Sequence, residues 1–195
     1  TVALILSIPA TVSTYELGTR LTYSSWFKWG TDWSPNGKWI TYSHNTMHQN
    51  GKYYYDVCIV PSKGGVSINL TGETPQGNCF FPKFTHDSQA VIFGNFSSGA
   101  YHIMRVDISQ VAKSNPKPVT PTVVIDNATN GRWSHGGRYL VYSAMSPYSE
   151  NPSWFEWDLR VYDSAKDISW SITPDPEGDK FYRPEWGTPV PSWSH

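Results

Sequence analysis

Short apolar runs, rich in β-branched and aromatic residues and separated by polar turn residues, recur along this chain at a near-constant spacing. Residues 33–43 read Trp-Ser-Pro-Asn-Gly-Lys-Trp-Ile-Thr-Tyr-Ser, residues 84–94 Phe-Thr-His-Asp-Ser-Gln-Ala-Val-Ile-Phe-Gly, and residues 133–143 Trp-Ser-His-Gly-Gly-Arg-Tyr-Leu-Val-Tyr-Ser. The three align without a gap, at offsets of 51 and 49 residues. Each opens on an aromatic residue (Trp33, Phe84, Trp133), passes through residues suited to tight turns, and continues into a run that favours a pleated strand. The pattern predicts a hairpin in each copy.

A second hairpin follows in each copy. Asp56–Pro61 leads through Lys63-Gly64-Gly65 to Val66–Thr71, His102–Asp107 leads to Val119-Thr120, and Asp158–Asp163 leads to Ser169–Thr173. The strand-closing threonines Thr22, Thr71, Thr120 and Thr173 lie 49, 49 and 53 residues apart. Each repeat is thus expected to hold four short antiparallel strands, A to D. Four strands at a period near 50 predict the blade of an all-β propeller, in which each unit buries its apolar face against its neighbours. The aromatics Trp33 and Trp133 are expected to pack between blades.

The segment Trp-Ser-Pro-Asn-Gly-Lys, the strand after it, Asp-Val-Cys-Ile-Val, Gly-Gly and Leu-Thr resemble the TolB-type, WD-like β-propeller repeat. The first copy matches well; the second and third replace the Pro with His86 and His135. The resemblance covers nearly the whole chain. It implies a propeller fold and a periplasmic or extracellular setting, and it leaves function open, because the fold hosts scaffolds, lectins, hydrolase accessory domains and lyases.

Residues 1–195 read as one propeller domain or propeller fragment: a half-blade over 1–22, blades over about 23–71, 72–120 and 121–173, and a half-blade over 174–195. Residues 4–9 align with strand C and 15–22 with strand D, whereas Trp186 takes the strand A aromatic position and Trp193 a core position of strand B. The two ends are therefore complementary, for about four blades in all. Closure within one chain, membership of a larger propeller, and closure between chains that would make a ring or fibre all fit. Pro189 and Pro191 disfavour a regular strand B at the end.

Composition narrows the setting. A net charge of −1 gives no basic field for nucleic acid. Charged residues are only 16% while 10 Trp and 12 Tyr are present, a look shared by secreted proteins that meet carbohydrate. Three sequons offer Asn69, Asn95 and Asn127 for glycosylation, and Cys58 and Cys79 either form a disulfide or stay unpaired. No stretch predicts a transmembrane segment, and the apolar opening Val2–Ile8 fits the repeat as a strand.

The D–A links and B–C loops of a propeller share one face. Trp26-Phe27-Lys28-Trp29 falls in such a link, Trp154-Phe155-Glu156-Trp157 in a B–C loop, and Tyr53, Tyr54 and Tyr55 end another. Clustered there, Trp26, Phe27, Trp29, Tyr53, Tyr54, Trp154, Phe155 and Trp157 are the candidate ligand-binding residues, for sugar rings or a protein partner; packing between blades is the competing reading. His44 and His48 lie on that face near Asp32, without a spacing diagnostic of metal. His86 and His135 read as polar turn residues on the opposite face. There is no Gly-x-Ser-x-Gly elbow, phosphate loop or His-Glu-x-x-His motif, so no catalytic residue and no cofactor is assigned. Carboxylates such as Glu150, Glu156, Asp175 and Glu177 read as solvated loop charges.

Three classes of function remain: a secreted or periplasmic non-enzymatic scaffold, self-assembling through its terminal half-blades or holding a protein partner; a carbohydrate-binding module; or the propeller part of a periplasmic hydrolase or lyase.

Overall fold

The computed structural model describes residues 20–23, 27–72, 77–109, 111, 120–147, 155–172 and 191–193. Twelve strands form three antiparallel sheets of four. The first holds β1 (Lys28–Trp33), β2 (Trp39–Met47), β3 (Tyr53–Pro61) and β4 (Ile68–Asn69) in chain order. The second holds β5 (Asn78–Phe84), β6 (Ala90–Ser97), β7 (Ala100–Asp107) and β8 (Thr122–Asp126). The third holds β9 (Ala128–Trp133), β10 (Tyr139–Pro147), β11 (Phe155–Asp163) and β12 (Ile168–Ser171).

The A–B turn repeats in detail. Gly37, Ser88 and Gly137 occupy equivalent positions and all take left-handed backbone, at φ 69°, 59° and 69°. Glycine reaches this region at no steric cost. The hydroxyls of Ser34, Thr85 and Ser134 accept the N–H of Trp39, Ala90 and Tyr139, pinning the first residue of strand B in each blade.

Burial joins the sheets face to face. Val57 and Ile59 of the first pack with Val91, Phe93, Met104 and Val106 of the second. The other face of the second sheet sets Ile92 and Ile103 against Leu140, Tyr142 and Ala144 of the third. The innermost strands β1, β5 and β9 meet one another in turn. Three sheets thus radiate from an axis lined by their A strands, which is propeller architecture.

Two sequence expectations change. Strand D of the second blade was expected at Val119-Thr120, but β8 begins at Thr122, after Pro121. A proline has no N–H to give a ladder, so the strand starts beyond it, and the link to β9 shrinks to Asn127. Trp193 was expected in a strand B core. It lies in no strand, and its indole N–H reaches the Arg132 carbonyl of β9 at 3.0 Å. The rest of both terminal half-blades falls mostly outside the described residues.

Candidate functional site

Each A strand carries the same irregularity. Pairing with strand B slips between Trp29 and Asp32, between Phe80 and Lys83, and between Thr129 and Arg132. Within each slip sits one left-handed residue: Gly30 (φ 65°), Phe81 (φ 53°) and Asn130 (φ 57°). Such bulges bend a strand and re-aim the side chains that follow. Here those side chains are Asp32, Lys83 and Arg132, equivalent residues of three blades, and all three line one recess of about 400 Å³ at the A–B-turn end of the axis.

The charges in the recess do not balance. Lys83 Nζ lies 3.3 Å from Asp32 Oδ1 and donates to the Thr31 carbonyl at 3.3 Å. The Phe84 N–H donates to Asp32 Oδ2 at 3.0 Å, so Asp32 ties the first blade to the second. Burial pushes the Lys83 ammonium below its ordinary pKa; Asp32 opposes that shift and the positive Arg132 adds to it. Arg132 itself has no carboxylate partner among the described residues, and its buried Nε has no acceptor. Trp133, on the same wall, also keeps a buried indole N–H without an acceptor. Trp33 stands at this recess 59% exposed, and Trp193 lines it from the C-terminal segment. The expectation that Trp33 packs between blades is thus corrected; Trp133 does pack, partly buried against the Leu140 cluster.

The turns around the recess touch. The Asn36 N–H donates to Ser88 Oγ at 3.1 Å, first blade to second. His86 of the second blade is seated over Gly137 of the third so closely that a Cβ there would fall 1.8 Å from His86 Nδ1. His86 is thus a contact between turns as well as a polar turn residue.

The aromatic face takes a different form from that expected. Trp29 meets Tyr55 edge-on at 5.4 Å and Phe81 at 4.8 Å, and Tyr101 meets Trp157 edge-on at 5.4 Å. Phe80 bridges them, 6.5 Å from Trp29 and 6.1 Å from Tyr101. Tyr55, Tyr101 and Trp157 are equivalent repeat positions, so this is an aromatic belt running through three blades. Trp29 and Trp157 are spent on packing. Tyr54 meets the His48 ring in a tilted contact at 4.8 Å, while Phe27 and Tyr53 stand 72% and 50% exposed. Phe155 and Trp157 belong to β11, as does Glu156, rather than to a loop. Trp26 and Trp154 lie outside the described residues.

Beneath the belt each blade has a polar tie between strands C and D. Asp56 accepts from Thr71 Oγ1 at 3.1 Å, His102 pairs with Asp126 at 2.8 Å, and Ser171 Oγ donates to Asp158 at 2.8 Å. His48 pairs with Asp56, so it serves this tie. Among the described residues no group of three His, Cys, Asp or Glu gathers around a metal position.

Cys58 and Cys79 are free and buried, which corrects the disulfide alternative. Cys58 packs with Tyr42 and Val60 on one face of the first sheet, while Cys79 packs with Val57 and Ile59 on the other. Neighbouring residues of β3 point to opposite faces. Burial raises both thiols to about 12. Of the sequon residues, Asn95 is 1% exposed with its amide directed at Cys79 Sγ. The Asn69 amide donates to Asp56. Asn127 is exposed, at φ 51° in the link between β8 and β9.

Lys83 and Arg132 were not singled out from the sequence. The signal was present: the residues before Trp33, Phe84 and Trp133 are Asp, Lys and Arg, three charges at one repeat position.

Three four-stranded sheets around an A-strand axis make this chain a β-propeller. Its fold is that of TolB-like propellers. TolB from Acinetobacter baumannii superposes with a TM-score of 0.53 at 20% identity, over 74% of this chain and 32% of that one. A putative TolB from Agrobacterium tumefaciens gives 0.51 at 20% identity, over 71% and 46%. The β-propeller domain of the Trilobed protease from Pyrococcus furiosus gives 0.51 at 12% identity, over 75% and 42%. The chain spans less than half the length of each. No family model and no curated protein sequence matches it. Among the described residues no helix is long and apolar enough to cross a membrane.

Proposed function

We propose that this propeller is a non-enzymatic binding module that takes a segment of a partner protein at the A–B-turn mouth of its axis, in the periplasm or outside the cell. One observation carries the reading: Arg132, a cation without a carboxylate partner among the described residues, and a largely exposed indole, Trp33, line the same recess. Arg and Trp in a recess are the residues on which protein interfaces concentrate their binding energy. Of the two serines that line the recess, Ser134 and Ser192, Ser134 accepts the backbone N–H of Tyr139 as a turn staple. The periplasmic or extracellular setting rests on the resemblance of the repeats.

A glycan-binding role for the aromatic face is the weaker reading, because Trp29 and Trp157 are committed to the belt. Assembly through the terminal half-blades turns on residues mostly outside the described ones.

The test is selection of peptides from a random library on the purified protein, with a glycan array in parallel. The reading expects selected peptides whose binding weakens at least tenfold in Trp33→Ala and is unchanged in Tyr53→Ala. Peptides sensitive only to Tyr53→Ala, or glycan binding with no peptide selected, would overturn it.

A further inference from the structure

We propose that the axial recess is a carboxylate site in which Arg132 receives the acid group of the bound segment. The proposal rests on the reading above and names the chemistry of what the recess takes.

Charge comes first. Lys83 and Arg132 bring two cations to one wall, and Asp32 neutralises one of them, through Lys83. Among the described lysine, arginine and carboxylate side chains of the recess, that leaves one positive charge, on Arg132, which a monoanion balances. Geometry follows. A guanidinium presents parallel N–H donors that match the two oxygens of a carboxylate. Arg132 lines the recess and has no carboxylate partner among the described residues, so the part of its guanidinium that borders the recess can take a bound acid group. Position is the third point. Trp193 donates its indole N–H to the Arg132 carbonyl, so the backbone of Arg132 is held on the side of the C-terminal segment. Trp33, Trp133 and Trp193 supply apolar surface around the charge. The group that fits is a carboxylate next to an apolar or aromatic side chain. A chain terminus and an Asp or Glu side chain both present it.

The experiment titrates the protein with three short peptides: acetyl-Ala-Phe as the free acid, the same peptide as its amide, and acetyl-Phe-Asp amide. Binding is read by calorimetry and by the fluorescence of the recess indoles. At least one acid-bearing peptide is expected to bind ten- to a hundredfold more tightly than acetyl-Ala-Phe amide. Which of the two does so tells a chain terminus from a side chain. Arg132→Gln is expected to erase that preference without weakening the amide, and Lys52→Gln, on the opposite face, to leave it intact. Thermal melting confirms that each variant folds; if Arg132→Gln does not, Arg132→Lys is expected to reduce the preference. Acid and amide binding equally well would overturn the carboxylate assignment while leaving the partner-binding reading in place. So would inorganic phosphate displacing the acid peptide as effectively as acetate does. A preference that survives in both Arg132 variants would overturn the role of Arg132. Failure of all three peptides, when library peptides do bind at the mouth, would overturn the proposal alone; failure of both sets would overturn the reading with it.

Discussion

His48 Nε2 lies 3.1 Å from each carboxylate oxygen of Asp56, and the two side chains are 3% and 0% exposed. Asp56 also accepts from Asn69 Nδ2 at 2.8 Å and Thr71 Oγ1 at 3.1 Å, and Thr71 Oγ1 accepts the Val57 N–H. One buried carboxylate thus joins the B–C loop, strand β3 and the end of β4. Removing one partner of a buried pair leaves the rest of the network unmatched, which typically costs about 3–5 kcal/mol. Asp56→Ala is expected to destabilise the fold by roughly that amount, and Asp56→Asn by less because its amide oxygen still accepts. Urea denaturation of the three proteins checks this. A loss below about 1 kcal/mol for Asp56→Ala would show that the tie does not support the blade.

Gly37 and Gly137 form a matched pair. Both sit at the same turn position with φ 69°, but a Cβ on Gly37 meets nothing within 4 Å, while one on Gly137 runs into the His86 ring. Gly37→Ala therefore isolates the backbone cost of a left-handed alanine, about 1–2 kcal/mol. Gly137→Ala adds displacement of His86 and is expected to cost more. His86→Ala should bring the cost of Gly137→Ala back to that of Gly37→Ala. A double-mutant cycle by thermal or chemical denaturation measures the coupling. Additive single effects would mean that His86 moves aside freely.

How far the sequence led is visible in particular residues. Repeat spacing identified the blades because each blade solves the same packing problem, and the hairpins at Trp33, Phe84 and Trp133 lie where the alignment put them. Register within a strand was harder. The bulges at Gly30, Phe81 and Asn130 are filled by three different residues, only one of them glycine, so no single residue type marks them. Those bulges decide that Asp32, Lys83 and Arg132 meet at the axis. The aromatic motifs were conspicuous in the sequence, yet composition cannot tell a ring that stacks on its neighbour from one that waits for a ligand. The three charges preceding the A-strand aromatics were inconspicuous, because charge before an aromatic is ordinary until three blades bring it to one point.

Arg138 holds Asp163 with two hydrogen bonds, Nε to Oδ1 at 3.1 Å and Nη2 to Oδ2 at 2.8 Å. The Arg138 bonds pull the carboxyl below its ordinary value of 3.8; burial works against them, and the Ala165 N–H adds to them. A carboxyl lowered on folding contributes stability that is fully present above its unfolded pKa and is lost as pH falls through the folded one. Stability should therefore drop below pH 3.8, and Asp163→Asn should flatten that part of the profile while leaving the slope between pH 6 and 8 unchanged. A series of urea midpoints at falling pH is the measurement. An unchanged acid profile in Asp163→Asn would place the acid sensitivity in other carboxyls.

The A-strand aromatics share one repeat position and meet three fates. Phe84 is 6% exposed and packs in the core between the first two blades. Trp133 is partly buried against the Leu140 cluster, and Trp33 stands 59% exposed at the mouth of the recess. Truncating a well-buried aromatic costs about 3–5 kcal/mol through lost contacts and the cavity left behind. Phe84→Ala should fall in that range and Trp133→Ala somewhat below it. Trp33→Ala should cost less than about 1 kcal/mol, since little apolar surface returns to water. The order Phe84, Trp133, Trp33 is the quantity to test, by chemical denaturation of the three variants. A Trp33→Ala loss as large as that of Phe84→Ala would mean that the indole is covered in the folded protein, and it would withdraw Trp33 from the recess as a surface for a partner. A small loss, together with weakened peptide binding by the same variant, would separate the two roles: the position that stabilises the second blade presents a binding surface in the first.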